Sequence, residues 1–128
     1  MFRDPFEEFE ELIGSLTSGG SYRVYRPPIS AYETEDEFVI YLAVGGADKS
    51  SLKVIYDSGV LVLKGYRPEP EGPEERVYHI AEIYFGPFER RIRLDAEIDV
   101  EGITSRYENG LLEVKVPKKK RKIEIKVD

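Results

Sequence analysis

The stretch that decides the fold is SRYENGLLEVKVP, residues 105–117. Asn109 and Gly110 stand between two short runs, residues 105–108 and 111–116, in which apolar and polar side chains alternate. A period of two residues is typical of a β-strand with one buried face. An Asn-Gly pair between two such runs indicates a hairpin, because these residues readily adopt the positive φ angles of a type I′ turn. The stretch therefore predicts two antiparallel strands that end at Pro117.

The same period of two extends from this hairpin back to residue 27. Strands are predicted over residues 29–33, 38–44, 52–56, 60–64, 76–84, 88–94, 105–108 and 111–116. Residues 38–44 are apolar on both faces, which predicts a central strand, and residues 67–75, with three prolines and four glutamates, predict an exposed loop. About eight short strands without an internal helix predict an all-β, immunoglobulin-like antiparallel β-sandwich.

An amphipathic arm precedes the sandwich. Residues 1–16 predict a short helix whose apolar side chains recur every three or four residues, and residues 18–20, Ser-Gly-Gly, end it. Its apolar face consists of Phe2, Phe6, Phe9, Ile13 and Leu16. This face either packs on its own domain or stays exposed for partners. Three phenylalanines within nine residues favour an arm that is exposed for partners.

A basic tail follows the sandwich. Residues 118–122 are all basic, and Ile123, Ile125 and Val127 then alternate with charged residues. A lone strand cannot satisfy its own backbone groups, so this tail has to dock on something. We therefore divide the chain into an arm (residues 1–26), a sandwich domain (residues 27–117) and a C-terminal extension (residues 118–128).

Composition excludes several classes of function. The 128 residues contain no cysteine, which excludes disulfides and thiolate metal sites, and His79 is the only histidine, which excludes a multi-histidine metal site. No Gly-x-Ser-x-Gly accompanies His79, and no phosphate-binding loop is present, so we expect neither an enzyme nor a cofactor.

The charge pattern bears on partners and location. Residues 27–117 carry 18 acidic and 10 basic side chains, an acidic body that argues against a nucleic-acid partner. No apolar run approaches 18 residues, so we expect no membrane span. The acidic start is unlike a secretory signal, so we expect a cytoplasmic protein. Asn109 is the only side-chain amide, which is typical of a thermophile.

The hairpin and four other segments resemble the small heat-shock protein (alpha-crystallin) family. Residues 105–118 are similar to its signature, Ala-x-x-x-Asn-Gly-Val-Leu followed by a strand and Pro-Lys, with Ser105 and Leu111 as the two departures. Residues 27–34 resemble the family's opening strand, and residues 86–94 its Gly-x-Phe-x-Arg strand. Residues 44–46 stand at its Leu-Pro-Gly turn, without the proline, and residues 123–125 match its C-terminal Ile-x-Ile motif.

The resemblance implies an ATP-independent chaperone, a holdase that binds unfolding proteins and assembles as a homo-oligomer of dimers. It implies a tail motif, Ile123 and Ile125, that enters a groove on another dimer lined by Leu52, Val54, Tyr56 and Tyr107. It also implies a dimer interface in which a loop strand, residues 76–81, is exchanged with the partner. The implied interface residues are Arg76, Val77, Tyr78, His79, Ile80, Glu82 and Arg90, the last pairing with Glu82 or with loop glutamates.

Two other classes of protein share such a sandwich. A CS-type co-chaperone acts as a monomer beside another chaperone, but it usually lacks both the Ile-x-Ile tail and the long exchanged loop. A ligand-binding module, for example one for carbohydrate, is disfavoured because the chain has no tryptophan to stack on a sugar. A monomer in solution would favour these alternatives, and a particle of many subunits the small heat-shock protein.

Overall fold

A computed structural model describes residues 24–120 and 125–128. The strands in this part of the chain are β1 (Ile29–Glu33), β2 (Glu37–Ala43), β3 (Lys53–Asp57), β4 (Val60–Arg67), β5 (Gly86–Arg93), β6 (Thr104–Glu108) and β7 (Leu111–Pro117). Two single-turn 3-10 helices, Lys49–Ser51 and Val100–Gly102, lie in the connections. The predicted arm helix, residues 1–16, lies outside the described residues.

The strands form two antiparallel sheets that share one core. One sheet has the order β1-β2-β7-β6 and the other the order β3-β4-β5. Their facing side chains alternate inward and make a single buried cluster, which consists of Phe38, Ile40, Leu42, Val44, Leu61, Leu63, Phe88, Ile92, Leu94, Leu112, Val114 and Val116. The predicted sandwich is confirmed, and so is the central position of β2, which pairs with both β1 and β7.

The hairpin that decides the fold has the predicted turn. Asn109 and Gly110 have φ angles of 53° and 76°, both in the left-handed region, and Glu108 pairs with Leu111 across the turn. A Cβ on Gly110 would lie 3.2 Å from the Cα of Gly45, so the turn also needs glycine for space. Sequence and structure therefore agree on the register of β6 and β7.

One predicted strand is wrong for the single chain. Residues 76–84 form no strand, and residues 68–83 are all exposed between β4 and β5. Val77 and Ile80 are 84% and 78% exposed despite the alternating pattern around them. The physical reason is that a strand needs a neighbouring edge for its backbone groups, and within the single chain this segment pairs with none. We refer to residues 68–85 as the exposed loop.

Candidate assembly and client-binding surfaces

The sandwich has two sides that differ in how their sheet edges are covered. The Nη1 of Arg90 on β5 donates to the carbonyl of Pro27, just before β1, at 3.1 Å. This contact places the β5 edge of one sheet beside the β1 edge of the other. The remaining edge strands, β3 and β6, therefore lie on the opposite side. We call the β1 and β5 side the closed side, and the β3 and β6 side the open side.

The closed side is covered by the segment that leads into the sandwich, residues 24–27. Tyr25 makes a parallel bridge with Phe88, and its carbonyl accepts a hydrogen bond of 3.0 Å from the backbone of Glu89. Pro27 is fully buried. This segment therefore extends the three-stranded sheet beyond β5. No periodic pattern marks so short a contact, which is why sequence reasoning missed it.

The open side carries the predicted tail-accepting residues of β3. Leu52, Val54 and Tyr56 alternate with exposed residues and are half-buried against the core cluster. Their cross-strand partners on β4 are inward-facing, since Val54 lies opposite Leu63 and Tyr56 opposite Leu61. Half-burial at a sheet edge leaves apolar surface within reach of another chain. The structure thus places these three residues along one accessible apolar edge.

Tyr107 occupies the corresponding place on β6. It is half-buried against the same core cluster, and its hydroxyl donates to the carbonyl of Val44 at 2.8 Å. The backbone N–H of Val44 donates in turn to Gly110 at 2.9 Å. These bonds fix the ring of Tyr107 at the rim. The four predicted groove residues therefore share one side of the sandwich, three on β3 or next to it and one on β6.

The exposed loop contains a cluster that sequence reasoning did not predict. The Nη2 of Arg76 lies 2.9 Å from Oε1 of Glu69, and the hydroxyl of Tyr78 donates to the same oxygen. The guanidinium of Arg76 also lies 5.4 Å from the centre of the Tyr78 ring. The hydrogen bond to Glu69 raises the pKa of Tyr78. Arg76 and Tyr78 therefore share one acceptor within the loop.

A second cluster anchors the base of the exposed loop. Arg67, the last residue of β4, donates to the carbonyls of Gly45 at 2.8 Å and Tyr84 at 3.1 Å. The ring of Tyr84 stacks on Tyr25, with centroids 4.9 Å apart. Gly86, which follows, has a φ of 138° and leaves no room for a Cβ against Tyr84. The loop is therefore fixed at both ends, while its middle projects into solvent.

The other predicted interface residues lie apart in the single chain. His79 and Glu82 are exposed on the loop, whereas Arg90 is half-buried on β5 and donates to Pro27. The loop glutamate that binds an arginine does so within the loop, from Glu69 to Arg76. Within the single chain the structure therefore separates the predicted interface into an exposed segment of the loop and Arg90 on the closed side.

The tail begins at a fixed root. The backbone N–H groups of Lys118 and Lys119 donate to the backbone carbonyls of Asp36 at 2.8 Å and Glu97 at 2.9 Å. The ammonium group of Lys118 pairs with Glu33 and lies 5.2 Å from the centre of the Phe38 ring. Beyond this root Ile125 is 82% exposed, and Ile123 lies outside the described residues. The predicted tail motif is thus not docked on its own sandwich at Ile125.

The predicted arm residues lie outside the described part of the chain, which begins at Val24. They are Phe2, Phe6, Phe9, Ile13 and Leu16. Among the residues that the structure does describe, no helix has the length and apolar character needed to cross a membrane. Within the same residues, no three histidine, aspartate or glutamate side chains come together as a metal site.

Comparison with known proteins gives one consistent result. The model of the Hsp20/alpha crystallin family matches residues 30–128. Small heat shock protein C2 of Rickettsia felis is 33% identical over 98% of this chain and 82% of its own length. Heat shock protein 16.0 from Schizosaccharomyces pombe is 31% identical, with a TM-score of 0.67 over 81% of this chain and 99% of that one. A small heat-shock protein from Xylella fastidiosa, whose crystal structure reveals a distinct high order structure, is 26% identical. Its TM-score is 0.70, over 83% of this chain and 97% of that one.

Proposed function

The chain belongs to the Hsp20/alpha crystallin family, the small heat-shock proteins, whose members are non-enzymatic chaperones, and we propose that it is an ATP-independent holdase. In this proposal it binds unfolding proteins in the cytoplasm, prevents their aggregation and works as a homo-oligomer built from dimers. Neither a nucleic acid nor a membrane is needed as a partner.

The observation that carries the proposal is that two segments expose apolar side chains in the single chain. The middle of the exposed loop offers Val77 and Ile80 to solvent, and the tail does the same with Ile125. Both have the alternating pattern of a strand, yet neither residues 76–84 nor the described tail residues 125–128 form a strand. Apolar strands without a neighbour are unfavourable in water. Docking on other copies of the chain removes this cost for both segments.

The closed side is the place we propose for the dimer interface. There β1 is the edge strand of its sheet, and Arg90 lies next to its lead-in at Pro27. In the proposed dimer, residues 76–81 of one subunit add a strand to β1 of the other and come near its Arg90. Main-chain hydrogen bonds supply the affinity in such strand addition. The exchange also hides an edge that would otherwise promote aggregation.

The open side is the place we propose for the tail. Ile123 and Ile125 share one face of an extended segment, so they can enter together the apolar edge formed by Leu52, Val54 and Tyr56 with Tyr107. Burial of two isoleucines contributes about 3–6 kcal/mol. Ordering about five tail residues costs about 1–2 kcal/mol each. One tail is therefore marginal alone, and an oligomer holds because many tails act together while subunits exchange readily.

The arm is the segment we propose for client binding. Each of Phe2, Phe6 and Phe9 offers about 1.5–3 kcal/mol of apolar burial to an unfolding protein. Replacing all three with serine is therefore expected to weaken client protection. Because these residues precede the sandwich strands, the fold of the variant is expected to stay intact, as circular dichroism can check.

Light scattering during heating of a thermolabile enzyme tests the function directly. We expect the full chain to suppress aggregation equally with and without ATP, and the native mass to show a particle of several dimers. Suppression that requires ATP, or no suppression at all, would refute the holdase. A monomeric mass would instead favour a CS-type co-chaperone or another protein-interaction module.

A further inference from the structure

The outer face of the three-stranded sheet carries apolar side chains that nothing in the described part of the chain covers. Ile55 on β3 is 41% exposed and lies opposite Val62 on β4. Farther along β4, Tyr66 is 46% exposed and lies opposite Pro87 on β5. We call Ile55, Val60, Val62, Tyr66 and Pro87 the outer strip. It runs nearly the whole length of β4.

Basic side chains flank the outer strip. Lys53 lies directly opposite Lys64, and Arg91 and Arg93 follow on β5. Of the two acidic residues on this face, Glu89 is paired with Arg91 at 3.2 Å, and Asp57 lies at the far end of β3. This face is basic although the sandwich domain as a whole is acidic, with 18 acidic and 10 basic side chains in residues 27–117. It therefore suits an acidic occupant.

The outer strip opens next to the point where the arm enters the described chain. A shallow cavity of about 510 Å³ is lined by Val24 together with Lys53, Lys64, Tyr66 and Pro87. Val24 is the first described residue, and the next one, Tyr25, is fixed to β5 by its bridge to Phe88. The segment that precedes Val24 therefore starts at one end of the outer strip.

We propose that the N-terminal arm, residues 1–23, docks on the outer strip of its own chain. The arm carries five acidic and two basic side chains, with Glu7, Glu8, Glu10 and Glu11 beside its phenylalanines. Its predicted helix of 16 residues is about 24 Å long. The eight residues of β4 span about 26 Å. Residues 17–23 then connect the helix to Val24.

The outer face of the four-stranded sheet is a poor alternative for the arm. Glu37, Glu108 and Glu113 lie on that face with only Arg106 and Lys115 against them, and Arg106 is already paired with Glu108 and Glu113. The face therefore has a small excess of acidic groups, whereas the outer face of the three-stranded sheet has an excess of basic ones. Partial burial, and after it the Glu113 carboxylate, raise the pKa of Tyr41 on that face. Charge complementarity therefore selects the three-stranded sheet.

This docking rests on the proposed function and adds to it a resting state of the client-binding arm. The apolar face that binds clients is covered at rest by the chain's own sheet, and a client competes with Ile55 and Val62 for the same phenylalanines. Contacts held partly by exposed charge pairs are weak and screened by salt. The arm therefore opens readily.

Zero-length cross-linking with a carbodiimide tests the docking, because it joins carboxylates to lysine amines that are in contact. The full-length oligomer is assembled from equal amounts of isotopically labelled and unlabelled chains at low ionic strength. We expect peptides that link an arm glutamate to Lys53 or Lys64 within one isotopic type. Links found only between the two types would place the arm on another copy and overturn the proposal, as would links to Lys115 without links to Lys53 or Lys64.

Charge reversal gives an independent test. The double variant Lys53→Glu, Lys64→Glu is expected to raise the rate of glutamate-specific proteolysis in the arm about two- to tenfold. The control is Lys115→Glu, an exposed lysine on the other sheet, which is expected to leave the rate unchanged. Equal rates in the double variant and the wild type would overturn the proposal. Neither readout depends on chaperone activity, so a failed light-scattering assay refutes the holdase alone.

Discussion

The two sides of the sandwich end their sheets in different ways. On the closed side the chain supplies its own cover, because Tyr25 extends the sheet beyond β5 and Arg90 binds the carbonyl of Pro27. On the open side Leu52, Val54 and Tyr56 remain half-buried, and no segment among residues 24–120 and 125–128 extends the sheet beyond β3. A sheet edge that its own chain leaves accessible is available to another chain. The cover on the closed side reaches β5 and leaves β1 as an edge strand of its sheet, which suits the proposed subunit pairing, while the β3 edge of the open side suits the proposed tail capture.

Substitution of the tail's two isoleucines is expected to have the largest effect, because it removes the proposed occupant of the open side and leaves the closed side intact. In the double variant Ile123→Ala, Ile125→Ala the open side has no occupant, so the particle should separate into dimers that the closed side still holds together. Native mass spectrometry measures the change, and circular dichroism checks that β-structure persists. The matched control is Lys126→Ala, which changes the opposite face of the tail. A double variant that keeps the wild-type mass would show that the arm or the exposed loop links the dimers.

A substitution at Gly65 tests how strongly the core couples the two sides. An added Cβ would lie 2.7 Å from Cζ of Phe88 and 2.8 Å from Cδ2 of Leu52. Because such contacts are too short, Gly65→Ala is expected to lower the free energy of unfolding by about 1–3 kcal/mol. Urea denaturation measures it. Gly45→Ala, where nothing lies within 4 Å of the new Cβ, is the control. Equal stability of the two variants would contradict the expected coupling.

A smaller effect is expected from Tyr107 at the open rim. Tyr107→Phe removes the hydrogen bond to the carbonyl of Val44 and should lower the free energy of unfolding by about 0.5–1.5 kcal/mol. Tyr56→Phe is a suitable control, since that tyrosine is half-buried on the same side and its hydroxyl has no hydrogen bond within the described residues. Thermal unfolding of both variants gives the comparison. A greater loss in the control would mean that the Val44 bond does not hold the rim.

The smallest effect concerns the cluster on the exposed loop. Glu69→Gln removes the carboxylate that raises the pKa of Tyr78, so that pKa should fall towards its ordinary value. A raised pKa means that the protonated phenol favours the folded loop, and this contribution is present below the ordinary pKa of about 10 and lost as pH rises through the folded value. Carbon-detected NMR titration of the Tyr78 ring measures the shift. Glu71→Gln is expected to leave the titration unchanged, and an equal shift there would argue against a specific bond.

Much of the sandwich is predictable because each strand meets a neighbour within the same chain. Alternation and the Asn109-Gly110 turn are local signals, and the structure reproduces them in the pairing of β6 with β7. Residues 76–84 show why the same rule also fails. Their alternating pattern is that of a strand, but in the single chain these residues pair with no sheet edge.

Other parts of the candidate surfaces have no signal in the sequence. The bridge of Tyr25 to Phe88 is a single contact without a repeat, and the two bonds of Arg67 to Gly45 and Tyr84 depend on three segments meeting in space. Resemblance to a family supplied the groove residues of β3 and β6, and the structure shows that they lie on one side. The resemblance could not identify Glu69 as the acceptor for Arg76 and Tyr78, because nothing in the sequence distinguishes it from the other glutamates of the loop.

The fixed root of the tail has a consequence for the size of any assembly. Since the backbone N–H groups of Lys118 and Lys119 are hydrogen-bonded to the carbonyls of Asp36 and Glu97, only three residues, 120–122, separate this root from Ile123, which makes four Cα–Cα steps from Lys119. A fully extended chain advances at most about 3.6 Å per residue, which gives about 14 Å. A tail that links two dimers can therefore span only about this distance between its root and Ile123. It sets the greatest separation between neighbouring sandwiches, so a particle with a lengthened basic segment would have wider spacing between the same dimers.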